Sequence, residues 1–66
     1  MKIRVNGEER EVAAGTTVAE LVAALGLRPA QVAVEVNRVL VPRARHAQAI
    51  LREGDVVELV TLVGGG

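Results

Sequence analysis

The sequence predicts an α+β domain, a mixed sheet of four to five strands with one main helix on one face. Three features carry that expectation. The opening "KIRVNGEEREV" alternates apolar and polar residues around an Asn-Gly pair. Next, "TTVAELVAALG" spaces its apolar residues as a helix does, between two cap signals. From Gln31 onward the chain returns to short valine-rich runs broken by turn residues.

In the first run Ile3 and Val5 alternate with Lys2 and Arg4, and Asn6 and Gly7 supply the positive φ values of a tight turn. A hairpin is expected, with strands from roughly Lys2 to Val5 and Glu8 to Val12. Val18, Leu21, Val22 and Leu25 then fall at i, i+3, i+4 and i+7, one stripe of a helix. Thr17 and Glu20 have capping-box spacing, and Gly26 sits where a left-handed cap ends the helix. A helix of about two turns does not stand alone in water, so its stripe must pack on a sheet.

"QVAVEVNRVLVPR" puts Val32, Val34 and Val36 on one face of a strand and Ala33 and Glu35 on the other, before a turn near Asn37 and Arg38. Pro42 limits the following strand to a short edge piece. "ARHAQAILREGD" reads as an irregular or single-turn helical segment with Ile50 and Leu51 tucked inward. Gly54 and Asp55 make a turn, and "VVELVTLV" closes the sheet as its last strand.

The order is therefore ββαβββ, or ββαββ with a short helical turn. The first and last strands read as the longest and cleanest, which places them side by side in the middle of the sheet. By analogy with known folds this is a β-grasp arrangement, the shape of ubiquitin; periodicity alone does not order strands. Within the last strand Val57, Leu59 and Thr61 point one way and Val56, Glu58, Val60 and Leu62 the other. If the helix covers the first set, Val60 and Leu62 face water just before "GGG", as a docking patch. The expected division is a β-grasp domain over residues 1–63 and a flexible glycine tail over 64–66.

Composition narrows the function. A chain of 66 residues makes one domain. Half of it is apolar with no aromatic residue, which gives a compact aliphatic core and removes base stacking on nucleic acid. Eight basic and eight acidic residues cancel, so no global field gathers phosphate backbones or anionic lipid, and neither nucleic acid nor a membrane is an expected partner. No apolar run is long enough to span a bilayer and "MKIRVNGEER" lacks the apolar centre of a signal peptide, so the expected location is cytoplasmic. Without cysteine there is neither a disulfide framework nor a thiolate metal cage.

Ser, Cys and Tyr are absent and His and Asp occur once each, so the chain cannot assemble a nucleophile and base pair, and an autonomous enzyme is the least expected class. A zinc site needs three or four ligands, so His46 reads as a surface or loop histidine and no metal is expected.

Gly64, Gly65 and Gly66 follow the last strand. A terminal glycine offers one reactive group, its α-carboxylate. Side chains without Cβ make the segment thin and free in φ, able to thread a narrow channel with a reach of about 10 Å. Such a tail presents an acyl group inside another protein's active site. A carboxylate resists nucleophiles at neutral pH, so activation by a nucleotide triphosphate is required. This chain has no phosphate-binding glycine loop with its lysine, so the activating enzyme must be separate. Plain fraying of the terminus is the competing account of the same residues.

The whole chain resembles the small sulfur carrier proteins of thiamin biosynthesis, the ThiS family. The matching marks are the "NG" hairpin, "AGTTVAELV" leading the helix, "VEVNRVLVPR" in the middle and "REGDVVELVTLVGGG" at the end. The resemblance implies a ubiquitin-like fold and a stepwise mechanism. The Gly66 carboxylate would be adenylated by an ATP-dependent, E1-like adenylyltransferase of the ThiF type, with ATP used by that partner and no cofactor bound by the carrier. Sulfur from a cysteine persulfide, supplied by a cysteine desulfurase system, would convert it to a thiocarboxylate. A ThiG-type thiazole synthase would then take the sulfur.

By the same resemblance Gly65 and Gly66 match the family diglycine, and Val60 and Leu62 match apolar positions that meet partner enzymes. Gly64 falls where other members carry other residues, and "PRARHAQ" offers only His46 where an aromatic residue is often found. Arg43 is a candidate for steering an acidic partner. Related carriers serve molybdopterin synthesis, tRNA thiolation or protein conjugation, and the shortness of this chain favours the thiamin branch. A β-grasp interaction module without acyl chemistry is the alternative from another class.

Overall fold

The computed structural model describes residues 1–62. Lys2–Val5 forms β1 and Glu8–Glu11 forms β2, joined through Asn6 at φ 49° and Gly7 at φ 84°. Positive φ at both central positions matches the turn to the right-handed twist of the strands. Pairing runs past the strand ends, because Val12 N–H donates to the Met1 carbonyl at 2.9 Å and the Met1 amino group to the Val12 carbonyl at 2.7 Å.

Val18–Ala24 forms α1. The Thr17 hydroxyl accepts from Glu20 N–H at 3.1 Å while the Glu20 carboxylate accepts from Thr17 N–H at 2.9 Å, so two donors at the helix start are satisfied reciprocally. At the other end Gly26 adopts φ 73° and donates to the Ala23 carbonyl. The buried stripe is Val18, Leu21 and Val22, each worth about 1.5–3 kcal/mol when removed from water.

A short 3₁₀ turn at Pro29–Gln31, unforeseen from the sequence, leads into β3 at Val32–Val36; proline at the first position has its φ preset for that turn. Asn37 and Arg38, both at positive φ, turn the chain into β4 at Val39–Val41, which Pro42 ends. A second 3₁₀ turn follows at Arg43–Arg45, and β5 runs over Val56–Thr61.

The sheet has five strands in the order β2-β1-β5-β3-β4, with β1 and β5 parallel and all other pairs antiparallel. β5 is the longest strand and sits at the centre beside β1, as expected, although β3 is longer than β1. The core under the helix comprises Ile3, Val18, Leu21, Val22, Val32, Val34, Leu51, Val57 and Leu59.

Two expectations about the segment after Pro42 need correction. Leu51 is buried, but Ile50 is 58% exposed. The segment is extended where it meets the helix start: Val18 N–H donates to Ala49, Leu51 N–H donates to Thr16, and Ile50 forms an isolated bridge with Thr17. Extended backbone alternates its side chains, so Ala49 and Leu51 go in and Ile50 goes out. His46 does lie in a loop, yet it is 3% exposed and not a surface residue. With no Phe, Tyr or Trp in the chain, its imidazole is the one aromatic ring the sequence offers.

Candidate functional site

β5 presents its two faces differently. Val57 and Leu59 are buried against the helix, while Val56, Glu58, Val60 and Leu62 lie on the open face. The antiparallel register to β3 sets Ala33 opposite Val60 and Glu35 opposite Glu58, and β4 sets Leu40 opposite Glu35. Partners in register share a face, so Val60 at 59% exposure, Leu62 at 53% and Leu40 at 60% belong to one open surface.

Val60 and Leu62 stand where the alternation of the sequence put them. Leu40 was not singled out there, and the missing signal was cross-strand register; "VLV" shows that Leu40 faces opposite to Val39 and Val41, but only pairing with β3 shows which face that is. Arg43 is exposed, on the 3₁₀ turn after β4 rather than on the sheet, so the structure does not place it in the patch with Val60 and Leu62. Gly64, Gly65 and Gly66 lie outside the described residues, as do the boundary at residue 63 and the expected flexibility of the tail.

The strand that leads to those glycines is held on both sides. On the β3 side its ladder extends to Leu62, whose N–H donates to the Gln31 carbonyl at 2.7 Å. On the other side β1 pairs only with Val56 and Val57. There Asn6 takes over: its N–H donates to the Val57 carbonyl at 2.9 Å, its Oδ1 accepts from Leu59 N–H at 2.7 Å, and its Nδ2 donates to the Leu59 carbonyl at 3.1 Å. A side-chain amide thus does for Leu59 what a strand residue would do. Asparagine suits this position doubly, because it also tolerates the left-handed φ of the turn.

Beside this point lies a groove of about 380 Å³, lined on its apolar side by Val5, Leu25, Leu27 and Leu59. Among the described residues no group of His, Asp and Glu has the arrangement to hold a metal ion, and no helix is long and apolar enough to cross a membrane. The ion pair between Lys2 and Glu9, at 3.6 Å and largely exposed, is a surface feature that contributes little. What the site offers is geometry: a central strand held on both sides, exposed apolar side chains on the open face, and a chain that continues from the end of that strand.

The model of the ThiS family matches residues 3–66. The sulfur carrier protein ThiS of Escherichia coli is 39% identical over 66 residues, covering all of both chains. Two proteins named thiazole synthase, from Paramagnetospirillum magneticum and Magnetococcus marinus, are each 44% identical over all 66 residues, but the chain spans only 20% of their length. Among solved structures, the crystal structure of the thiamine biosynthesis protein ThiS from Geobacter metallireducens superposes with a TM-score of 0.85 at 33% identity, with complete coverage of both chains.

Proposed function

Because this chain belongs to the ThiS family, we propose that it is a sulfur carrier of thiamin biosynthesis whose working group is the carboxylate of Gly66. The end-to-end match with the Escherichia coli carrier supports this reading most directly, since it covers the glycines as well as the domain. A separate activating enzyme uses ATP to form the acyl adenylate, with pyrophosphate leaving. The outer sulfur of a partner's cysteine persulfide then attacks the acyl carbon with AMP leaving, and a second partner thiol cleaves the resulting acyl disulfide, pairing with that cysteine as a disulfide and so supplying the two electrons that release the thiocarboxylate. The thiocarboxylate gives its sulfur to thiazole formation.

Each part of the chain has a role in that sequence of events. Glycines expose the acyl carbon and let the segment enter a narrow site. The central strand fixes where the segment starts, and Val60 and Leu62, with Leu40 on the same face two strands away, provide apolar contact on the open face. Arg43, exposed on the turn after β4, would steer an acidic partner surface from outside the patch. The chain brings no group that performs the chemistry, so activation and sulfur delivery belong to the partners.

The thiazole branch is favoured over other destinations by the two thiazole synthases that contain a segment like this one within a single polypeptide. Covalent linkage raises the effective concentration of one module at the other, which is useful only where the two must meet. The reading is tested by intact-mass measurement after incubation with the activating enzyme, ATP and a sulfur source. One oxygen should be replaced by one sulfur at Gly66, and the same chain extended by one residue beyond Gly66 should remain folded and unmodified. No exchange with a competent activator would falsify the reading.

A further inference from the structure

We propose that β5 is extended sideways on docking: an extended strand of the partner polypeptide pairs with the main chain of Thr61, in the line of the sheet that β1 leaves vacant. This rests on the carrier reading, because it concerns how the segment after β5 is received.

The vacancy follows from the direction of the main-chain groups along β5. Asn37 N–H donates to the Val56 carbonyl and Leu62 N–H donates to Gln31, so even-numbered positions turn their groups toward β3. Odd-numbered positions turn them the other way. The Asp55 carbonyl accepts from Arg4 N–H, the Val57 carbonyl accepts from Asn6 N–H, and both groups of Leu59 meet the Asn6 side chain. Thr61 is next in that series, and no described residue meets its N–H or carbonyl on this side. β1 has ended at Val5, and the chain turns at Asn6 and Gly7 into β2.

The groove supplies an independent second feature. Val5, Leu25, Leu27 and Leu59 line its apolar side, charged residues of β2 line the other, and Thr61 itself belongs to the lining, so it opens on the helix side of the vacant position. A strand laid along Thr61 sends every second side chain to that side, into the groove. The occupant is therefore specified: extended main chain whose inward side chain has an apolar part to set against Leu25, Leu27 and Leu59.

Glycines give a third reason. Gly64, Gly65 and Gly66 have no side chains, so short of the Gly66 carboxylate a partner recognises them through main-chain N–H and carbonyl groups. Pairing that begins at Thr61 sets the register and direction in which those groups are read.

The occupant is taken to be the activating enzyme of the proposed function, and the test uses an activating enzyme that adenylates this chain. Thr61→Pro removes the N–H that faces the vacancy and leaves the β3 ladder intact, a position where strand proline is tolerated. Thr61→Val keeps the N–H and changes only the side chain. Thr61→Pro should lower kcat/KM for adenylation about ten-fold or more, as expected for losing main-chain hydrogen bonds in a desolvated interface, and by clearly more than Thr61→Val. Amide exchange on the unsubstituted chain gives a readout that does not depend on the variant folding: Thr61 N–H should become protected in the complex.

Unchanged adenylation of Thr61→Pro together with an unprotected Thr61 amide overturns the strand pairing, while sulfur loading of the same chain leaves the carrier reading standing. Protection that rises with concentration of the isolated chain assigns the edge to a second copy and overturns the partner. Absence of any complex overturns both readings.

Discussion

The imidazole of His46 lies with Nε2 3.0 Å from the carbonyl of Val41, and the His46 carbonyl in turn accepts from Ala19 N–H at 3.0 Å. One residue therefore ties the end of β4 to the first turn of α1. A carbonyl accepts only from a protonated nitrogen, so Nε2 carries a hydrogen, while Nδ1 is buried with no partner among the described residues. Nitrogen chemical shifts of the ring should report that tautomer, and the opposite one would contradict the arrangement. His46→Ala should destabilise the domain by about 3 kcal/mol through the cavity and the lost hydrogen bond, measured by urea denaturation. In a domain this small, that is a large share of the total stability.

Asn6 makes a separable contribution. Asn6→Gly keeps the left-handed turn without strain but leaves both Leu59 main-chain groups without their partner, and should cost about 1–3 kcal/mol. Asn6→Ala should cost about 1 kcal/mol more, because a Cβ opposes positive φ. Equal losses for the two variants would mean that strain at the turn is not a factor.

These two residues mark where the sequence was legible and where it was not. The hairpin, α1 with its capping box, the Asn37 and Arg38 turn and the facing of β5 all follow from local rules, because spacing and turn chemistry act within a few residues. Asn6 was legible as a turn residue, whereas its grip on Leu59 spans most of the chain and has no local signature. The burial of His46 and the exposure of Ile50 were missed for the same reason. Their segment has no strong period of its own, and contact with Thr16, Thr17 and Val18 decides which side chains go inward. In the candidate site, Val60 and Leu62 were readable from alternation and Leu40 only from register.

Helix α1 is short enough that its caps matter. Thr17→Ala removes the hydroxyl that accepts from Glu20 N–H and should cost about 1 kcal/mol in thermal or urea unfolding. Glu20→Ala frees the Thr17 N–H, whose hydrogen bond to the carboxylate is exposed to water, and should cost less. A cost for Glu20→Ala above that of Thr17→Ala would place the weight of the box on the carboxylate instead.

The open face separates stability from binding. Val60 and Leu62 are more than half exposed, so replacing both by Ala should change folding stability by no more than about 0.5 kcal/mol. If the face is buried against the activating enzyme, the same pair loses apolar contact in the complex, about 2 kcal/mol or more, which is roughly thirty-fold in KM for the carrier. Leu40→Ala should act in the same direction, since register puts it on the same face two strands away. Ile50→Ala is the control: Ile50 is equally exposed and apolar but lies on the segment that bridges to Thr17, outside the sheet. An effect of Ile50→Ala as large as that of the Val60 and Leu62 pair would show that general surface apolarity, rather than this face, governs the encounter.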